Sequence, residues 1–327
     1  MNLDQLRERF PEETACRKFF ESVIWAHGRR CPHCGHDKSY RLQGKSTLPG
    51  TYECSRCKKQ FRVTTKTPMH STKLPLWKWI MAMYSIINSS KGISSVYLAR
   101  WIGVSQPTAW KVGHAIREMM APDGQLKGIV ELDEKYVGGK PRREKDLHHK
   151  RGKGTNKQQV LIAVERHGSV RSVPMDNDKI ITLAPLVTSL ISRKADLLTD
   201  EHPSYRSIGS WYQSHSRVNH GQGQYADGAI HTNTAESFGA LLERAKFGVF
   251  HFMSKDHLHR YLGEIGFRWN HREPKEHVTK AGKKKIVMVP LPVKTMLASL
   301  ISRCSGKQLR RTKNSGIRSL SPCALMS

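Results

Sequence analysis

Acidic residues end two short apolar segments of the chain, and their positions fit metal-ion chemistry. Asp133 lies within the segment 129–137, and Asp200 closes the segment 195–200. Both segments have the composition of a buried strand, where an ionised carboxylate is costly unless it is compensated. A divalent cation is the usual compensation when several carboxylates converge. Alternatively, a neighbouring Lys satisfies Asp133, or Asp133 faces water at the end of its strand.

A third acidic residue, Glu236, lies in a segment with helical periodicity. The apolar positions that recur at helical spacing are Phe238, Leu241, Leu242 and Ala245. Glu236 falls on the opposite face, so it is not placed as a core residue. A local role is the alternative, because Asn233 as N-cap with Glu236 three residues later resembles a capping box, which requires no catalysis.

The elements that must position these acids alternate strands with a helix. Strands are predicted at 129–137, 160–166, 170–175 and 195–200, with a helix at 183–191 before the last of them. This order predicts an α/β fold, a mixed sheet with a helical crossover, in which Asp133 and Asp200 lie on neighbouring strands.

Four cysteines have the spacing of a zinc ribbon. They form two Cys-x-x-Cys pairs, Cys31 with Cys34 and Cys54 with Cys57. Two thiolates separated by two residues can reach one tetrahedral ion, and the second pair completes its four ligands. The spacing therefore predicts one structural Zn2+ rather than a redox or disulfide pair.

Three helices are predicted between the cysteines and the first acidic strand, at 76–87, 93–102 and 107–119. Gly103 separates the second helix from the third, and Ser105 is the expected N-cap of the third. This outline is typical of a helix-turn-helix that places its second helix in a DNA major groove, although a plain helical hairpin has the same outline. The side chains expected to face outward are Gln106, Thr108, Lys111 and His114.

The charge balance indicates a polyanionic partner. Lys and Arg number 55 against 27 Asp and Glu, a formal charge of +28, which favours double-stranded DNA. Apolar runs are shorter than the roughly 20 residues of a membrane span, and a signal-peptide pattern is missing, so we expect no membrane and a cytoplasmic, nucleoid-associated protein. Between the first two strands, a basic segment suited to phosphate contacts contains Arg142, Arg143, Lys150 and Arg151.

Several motifs in this order resemble those of the ISXO-like DDE transposases of bacterial insertion sequences. They are Glu-Leu-Asp-Glu at 131–134, Thr-Asp-Glu-His at 199–202, His-Thr-Asn-Thr-Ala-Glu-Ser at 231–237, and the segments 254–261 and 267–272. The resemblance implies an RNase H-like core with Asp133 and Asp200 as metal ligands, and a third ligand from the segment around Asn233 and Glu236. This family commonly has a Lys-Arg pair where this chain has Glu243 and Arg244, so Arg244 or Lys246 is expected to make the usual DNA contact.

By this resemblance, Asp133, Asp200 and Glu236 hold two Mg2+ ions, for which Mn2+ can substitute, during cleavage and strand transfer at the element's terminal inverted repeats. The expected partners are those repeats, target DNA and at least one further copy of the chain. The alternative from another class is a DNA-binding regulator without catalysis, or a decayed transposase. A plain RNase H-type nuclease would not need two DNA-binding elements.

These patterns divide the chain into four parts: a zinc ribbon with a helical lead-in (1–70), a helix-turn-helix region (71–122), the RNase H-like core (123–273) and a basic C-terminal tail (274–327).

The cysteine spacing gives a direct prediction about metal content. We expect one Zn2+ per chain, and Cys54→Ser should lose it and weaken DNA binding while the catalytic core stays folded, since a ribbon can unfold separately. Metal analysis of freshly reduced protein measures this, and wild-type protein without zinc would contradict it.

Overall fold

The computed structural model describes residues 1–139, 157–218, 231–279, 282–311 and 317–319. The chain divides into two units, Met1–Met120 with Val289–Ser327 and Ala121–Met288. The basic residues Arg142, Arg143, Lys150 and Arg151 lie outside the described residues. Their predicted phosphate contacts stay a prediction.

The first unit begins with two helices and a small antiparallel sheet. Helix α1 is Leu3–Arg9 and α2 is Glu13–Ile24; strands β1 (Ser39–Arg41), β2 (Tyr52–Cys54) and β3 (Gln60–Phe61) follow in spatial order β1-β2-β3. Trp25, which ends α2, contacts Tyr52 and Phe61 edge to face, with ring centroids 5.4 and 6.3 Å away. The lead-in helix is therefore anchored on the ribbon by aromatic packing.

Helices α3 (Leu76–Asn88), α4 (Ser95–Ile102) and α5 (Gln106–Met119) agree with the three helices predicted from periodicity. The Ser94 side chain caps α4 by accepting from the Tyr97 amide, and Gly103 ends α4 in the left-handed conformation at φ 61°. Only glycine adopts that conformation at no steric cost, so Gly103 fixes the turn between the two helices.

The C-terminal segment contains regular structure that the sequence did not predict. Strands β9 (Arg272–Val278) and β10 (Lys284–Pro290) form a two-stranded sheet, and β11 (Leu309–Arg311) pairs with β12 (Ile317–Ser319). Helix α10 (Val293–Ser302), expected from its pattern, buries Met296, Leu297, Leu300 and Ile301 and packs on α2 and α3. The predicted division of the chain into four parts stays a prediction.

The second unit is built on a five-stranded mixed sheet. Its strands are β4 (Ile129–Val137), β5 (Gln158–Glu165), β6 (Val170–Met175), β7 (Asp196–Thr199) and β8 (Ser214–Arg217). The spatial order is β6-β5-β4-β7-β8; β4, β5 and β6 are antiparallel to their neighbours, whereas β7 is parallel to both β4 and β8. This topology confirms the expected mixed α/β sheet with an RNase H-like strand order.

Helices cover both faces of this sheet. Helices α6 (Ile180–Leu190) and α7 (Pro203–Gly209) pack on one face, together with Leu132, Leu161 and Leu197. Helices α8 (Asn233–Ala245) and α9 (Leu258–Asn270) pack on the other face, with Val137, Val160 and Ile162. Successive strand residues point to opposite faces, so β4 directs Glu131 and Asp133 toward α8 and directs Glu134 toward α7.

Candidate active site and zinc centre

Asp133 and Asp200 lie at the same edge of the sheet because β4 and β7 run parallel. Ile129 is opposite Asp196, and Glu131 is opposite Leu198. Continued by two residues, this register brings Asp133 level with Asp200. The predicted neighbouring placement of the two aspartates is confirmed. Asp133 accepts a hydrogen bond from the Glu134 amide (2.8 Å), and Asp200 accepts one from the His202 amide (3.0 Å).

Glu236 lies in the first turn of α8 and is exposed. The helix packs through Phe238, Leu242 and Ala245, which are fully buried, with Leu241 at the margin of the same core. These residues form the apolar stripe that periodicity predicts, and Glu236 lies outside this stripe. The side chain is therefore available at the edge of the sheet where the two aspartates lie.

Burial and nearby negative charges raise the pKa values of Asp133 and Glu134. The pKa of Asp133 is raised to about 6, chiefly by burial and then by the negative charges of Glu236 and Asp200, against the Glu134 amide, which lowers it. The pKa of Glu134 rises to about 7, first because of burial and then because Asp200 and Asp133 are close. Carboxylates that disfavour one another's ionisation are a common feature of functional sites.

The Glu134 side chain points away from α8, the helix that carries Glu236, and accepts a hydrogen bond from a tyrosine. The Tyr205 hydroxyl donates to Glu134 Oε1, and burial beside Glu134 places the pKa of Tyr205 well above its usual value. Tyr205 itself is buried in the core under α7. Glu134 and Tyr205 were not assigned a role from the sequence; alternation along β4 was the signal that separates Glu134 from Asp133.

The buried carboxylate of Glu131 caps α8. Its Oε2 accepts from the amides of Thr234 (2.7 Å) and Ala235 (3.1 Å), and its Oε1 accepts from the Thr234 hydroxyl (3.0 Å). Arg166, which follows β5, forms an ion pair with the same Oε1 at 2.7 Å and also donates to the carbonyl of His231. Glu131 has no exposed surface, so this contact is a buried, charge-assisted helix cap.

The alternative of a local capping box at Asn233 and Glu236 is wrong. Thr232 occupies the N-cap position without a side-chain cap bond, and Asn233 is the first helical residue and exposed. The first-turn amides are instead satisfied by Glu131, a residue distant in sequence. Since Glu236 has no capping role, its exposed carboxylate keeps its place beside the aspartates.

Two of the residues near the end of α8 contact β4 or the residue after it. Glu243 pairs with Lys135, with 3.5 Å between Oε1 and Nζ. Lys246 donates to the carbonyl of Gly138, and burial lowers the pKa of Lys246, with the nearby Lys157 adding to the effect. Arg244 is exposed. Of the two cations proposed to replace the family's lysine, Arg244 is the more accessible.

The proposed major-groove residues of α5 differ in accessibility. Lys111 is exposed, Gln106 donates to the Ser95 hydroxyl (2.7 Å), and Thr108 shares a hydrogen bond with Ser105 (2.9 Å). The prediction that His114 faces outward is wrong. His114 is fully buried, and its ring centroid lies 4.3 Å from that of Trp110. Packing against an aromatic neighbour on the same helix outweighs its polarity.

The four ribbon cysteines converge on one point. Their sulfur atoms all lie within 4.8 Å of one another, with Cys31 and Cys57 at 3.7 Å and Cys34 and Cys54 at 3.6 Å. Zinc–sulfur bonds of about 2.3 Å give a tetrahedron edge of about 3.8 Å, so the cluster fits a zinc ion. The backbone amide of Cys57 and hydrogen bonds among the four sulfurs lower the pKa of Cys54 to about 7, whereas hydrogen bonds to the other cysteines help to raise that of Cys34 to about 11.

Within the described ranges, the cysteines are the single group of metal-ligand atoms that is this compact. The acids at the sheet edge influence one another electrostatically but stand further apart. None of the described helices combines the length and the apolar character needed to cross a membrane.

Comparison with known proteins adds sequence relatives for both units. A model of the ISXO2-like transposase domain matches residues 125–270, and a model of the transposase zinc-ribbon domain matches residues 11–60. An uncharacterized protein in transposable element ISH50 of Halobacterium salinarum is 29% identical over 274 residues, which cover 79% of this chain and 91% of that protein.

Two solved structures are also similar in part. They are a pre-cleavage Mos1 transpososome (12% identity, TM-score 0.27) and a Mos1 transposase paired-end complex with the left transposon end (13% identity, TM-score 0.22). The first match covers 58% of this chain and 73% of the other, and the second covers 58% and 76%.

The raised pKa of Asp133 predicts a pH-dependent stability. In protein without added divalent cations, the Asp133 carboxyl binds a proton more tightly in the folded state than in the unfolded state. Its contribution to stability is therefore fully present below about pH 4 and is lost as the pH rises through about 6. Asp133→Asn should therefore melt at a higher temperature than wild type at pH 7.5, because its free energy of unfolding is larger by on the order of 2 kcal/mol. The difference in free energy of unfolding between the variant and the wild type should narrow toward pH 4.5. A gap that does not change with pH would contradict this assignment.

The cap formed by Glu131 predicts a large cost on its removal. Glu131→Ala leaves the largely buried Arg166 side chain, which is 14% exposed, without its carboxylate partner and should lower the free energy of unfolding by about 3–5 kcal/mol. Hydrogen exchange at the Thr234 and Ala235 amides should also accelerate. Glu243→Ala is the matched control, because its half-exposed pair with Lys135 is worth less than about 1 kcal/mol. Equal losses in the two variants would show that Glu131 does not hold α8.

Proposed function

Because models of the ISXO2-like transposase domain and of the transposase zinc-ribbon domain match residues 125–270 and 11–60, we propose that the protein is a transposase that cuts and joins DNA strands at the acidic edge of its mixed sheet. Asp133, Asp200 and Glu236 are the metal ligands in this proposal. The observation that carries it is their convergence: two aspartates on adjacent parallel strands and a glutamate on the helix capped by the same sheet.

The residues present fit divalent cations. Carboxylate oxygens are the ligands that Mg2+ and Mn2+ favour, and the repulsion that raises the pKa of Asp133 is relieved by a bound cation. Two such ions would activate the attacking hydroxyl and stabilise the leaving oxygen in a displacement at phosphorus.

The protein's own contribution is placement. Asp133 and Asp200 are fixed by backbone pairing of β4 with β7. Glu236 is fixed through the helix cap, because Glu131 lies two residues before Asp133 on the same face of β4 and binds the first turn of α8. The hydrogen bond from Tyr205 keeps Glu134 directed to the opposite face, which leaves three acids, rather than four, at the edge.

Double-stranded DNA is the proposed partner, as terminal inverted repeats and as target. The formal charge of +28 supplies a long-range attraction to phosphate. Lys111 on α5 and Arg244 on α8 are exposed cations suited to contact it. Zinc has a structural role here, since four cysteines complete a tetrahedral site and leave no open position. Assembly as a dimer or larger complex on paired ends is part of the same proposal.

The third ligand is tested by a pair of variants on α8. Glu236→Gln should reduce cleavage of DNA carrying the element's ends by at least about 100-fold, because losing a ligand exceeds the 10–100-fold effect of losing an outer-shell partner. DNA binding should persist. Asn233→Ala should retain cleavage and cost little stability, since Asn233 is exposed and does not cap α8.

Purified protein, linear DNA with the flanking ends and Mg2+ or Mn2+ provide the assay, with nicks and joined products mapped on gels. Asp133→Asn is the positive control for loss of activity. An inactive Asn233→Ala with an active Glu236→Gln would make Asn233 the third ligand. Site-specific binding without any cleavage by the wild type would instead identify a regulator.

A further inference from the structure

The hairpin formed by β9 and β10 is covered by little of the rest of the chain. Every residue from Glu273 to Val278 is exposed, as are Lys284, Lys285 and Ile286. Successive strand residues point to opposite faces, so neither face of β9 is buried by described parts of the molecule. A two-stranded hairpin is marginally stable alone in water. An exposed one of this length therefore suggests a surface that a partner completes.

The composition of the hairpin indicates what that partner is. Between 272 and 290 there are six basic residues and two acidic ones; the basic residues are Arg272, Lys275, Lys280, Lys283, Lys284 and Lys285. Glu276 is paired with Lys284 at 2.8 Å. Lys275 and Lys285 are exposed and form no ion pair with a described residue. Two copies of so basic a hairpin would repel each other, whereas a polyanion would be attracted.

Exposed apolar side chains accompany these cations. Val278 is 57% exposed and Ile286 is 70% exposed. Phosphate contacts alone would not require them. In a DNA groove, however, apolar side chains contact the thymine methyl group and sugar edges.

The dimensions agree with a duplex. Strands of seven residues span roughly 23 Å, about two thirds of the 34 Å helical turn of B-DNA. The major groove, about 12 Å wide, admits a two-stranded ribbon. We propose that the β9–β10 hairpin, here called the ribbon arm, lies in the major groove of the DNA on which the enzyme acts. Ile286 contacts base edges from one face of the arm. The neighbouring Lys285 points to the other face, and its long side chain, like that of Lys275, reaches the phosphates that flank the groove. This inference rests on the proposed function, which supplies DNA as the substrate.

Charge-matched variants test the phosphate contacts. The arm variant is Lys275→Gln with Lys285→Gln, which leaves the pair of Glu276 and Lys284 intact. The control is Lys127→Gln with Lys194→Gln, two exposed lysines of the same unit outside the arm. Binding of the full-length, zinc-loaded protein to a duplex is followed by fluorescence anisotropy over a salt series without Mg2+. The logarithm of the association constant decreases linearly with the logarithm of the salt concentration. The magnitude of this slope should be smaller by about 2 in the arm variant and should change much less in the control.

Thymine-to-uracil replacement tests the groove. Removing the thymine methyl groups should weaken wild-type binding, and Ile286→Ser should reduce the ratio of thymine to uracil affinity toward one. Ile181→Ser, which removes a comparably exposed side chain from α6, is the control and should keep the wild-type ratio.

Arm variants that match their controls in both assays would overturn the inference. So would a loss of oligomer mass in the arm variant at an unchanged salt slope, because a second copy would then be the occupant. Cleavage by the wild type separates these results from the proposed function: an enzyme that cuts DNA normally, with arm and control variants alike, refutes the ribbon arm alone.

Discussion

A single buried carboxylate joins the parts of the second unit that must meet. Glu131 lies on β4, accepts hydrogen bonds from the first turn of α8, and forms an ion pair with Arg166 at the end of β5. The carboxylate is both the charge complement of a buried guanidinium and the cap of a helix with no side-chain cap of its own. Because a buried ion is costly without such partners, the positions of β4, β5 and α8 are tied to one another.

The strand ends were predictable because their signals are local. Asp133 and Asp200 each follow an apolar run, and the order of elements between them implies a parallel neighbour pair, as β4 and β7 are. The cysteine spacing likewise needs no knowledge of the fold. The cap of α8 was not predictable in this way. Asn233 with Glu236 matches a local capping motif, and a sequence pattern alone does not show that a distant carboxylate takes its place.

The ribbon arm and His114 illustrate two other limits. Strand β9 has neither apolar alternation nor buried residues. The sequence pattern therefore indicates a basic tail in this region, because periodicity does not reveal the pairing of β9 with β10. His114 shows the reverse: its polarity suggested the surface, whereas the ring of Trp110 buries it. In both cases the decisive information is which neighbour covers a residue. The departure at Glu243 has a structural counterpart, because Lys135 supplies the opposite charge beside it.

The long chain separation of the cap has a consequence for how the protein is made. The hydrogen bond from Thr234 to Glu131 closes a loop of 103 residues, and parallel pairing of β4 with β7 is also non-local. Contacts of this kind form late in folding, after the entropy of loop closure has been overcome. A nascent chain still on the ribosome therefore has the cysteine ribbon and helices α3 to α5 before it has α8, and it has α8 before the packing of α10 on α2 and α3 completes the first unit. Neither unit is complete until late in synthesis, because the second unit needs α8 and the first needs α10.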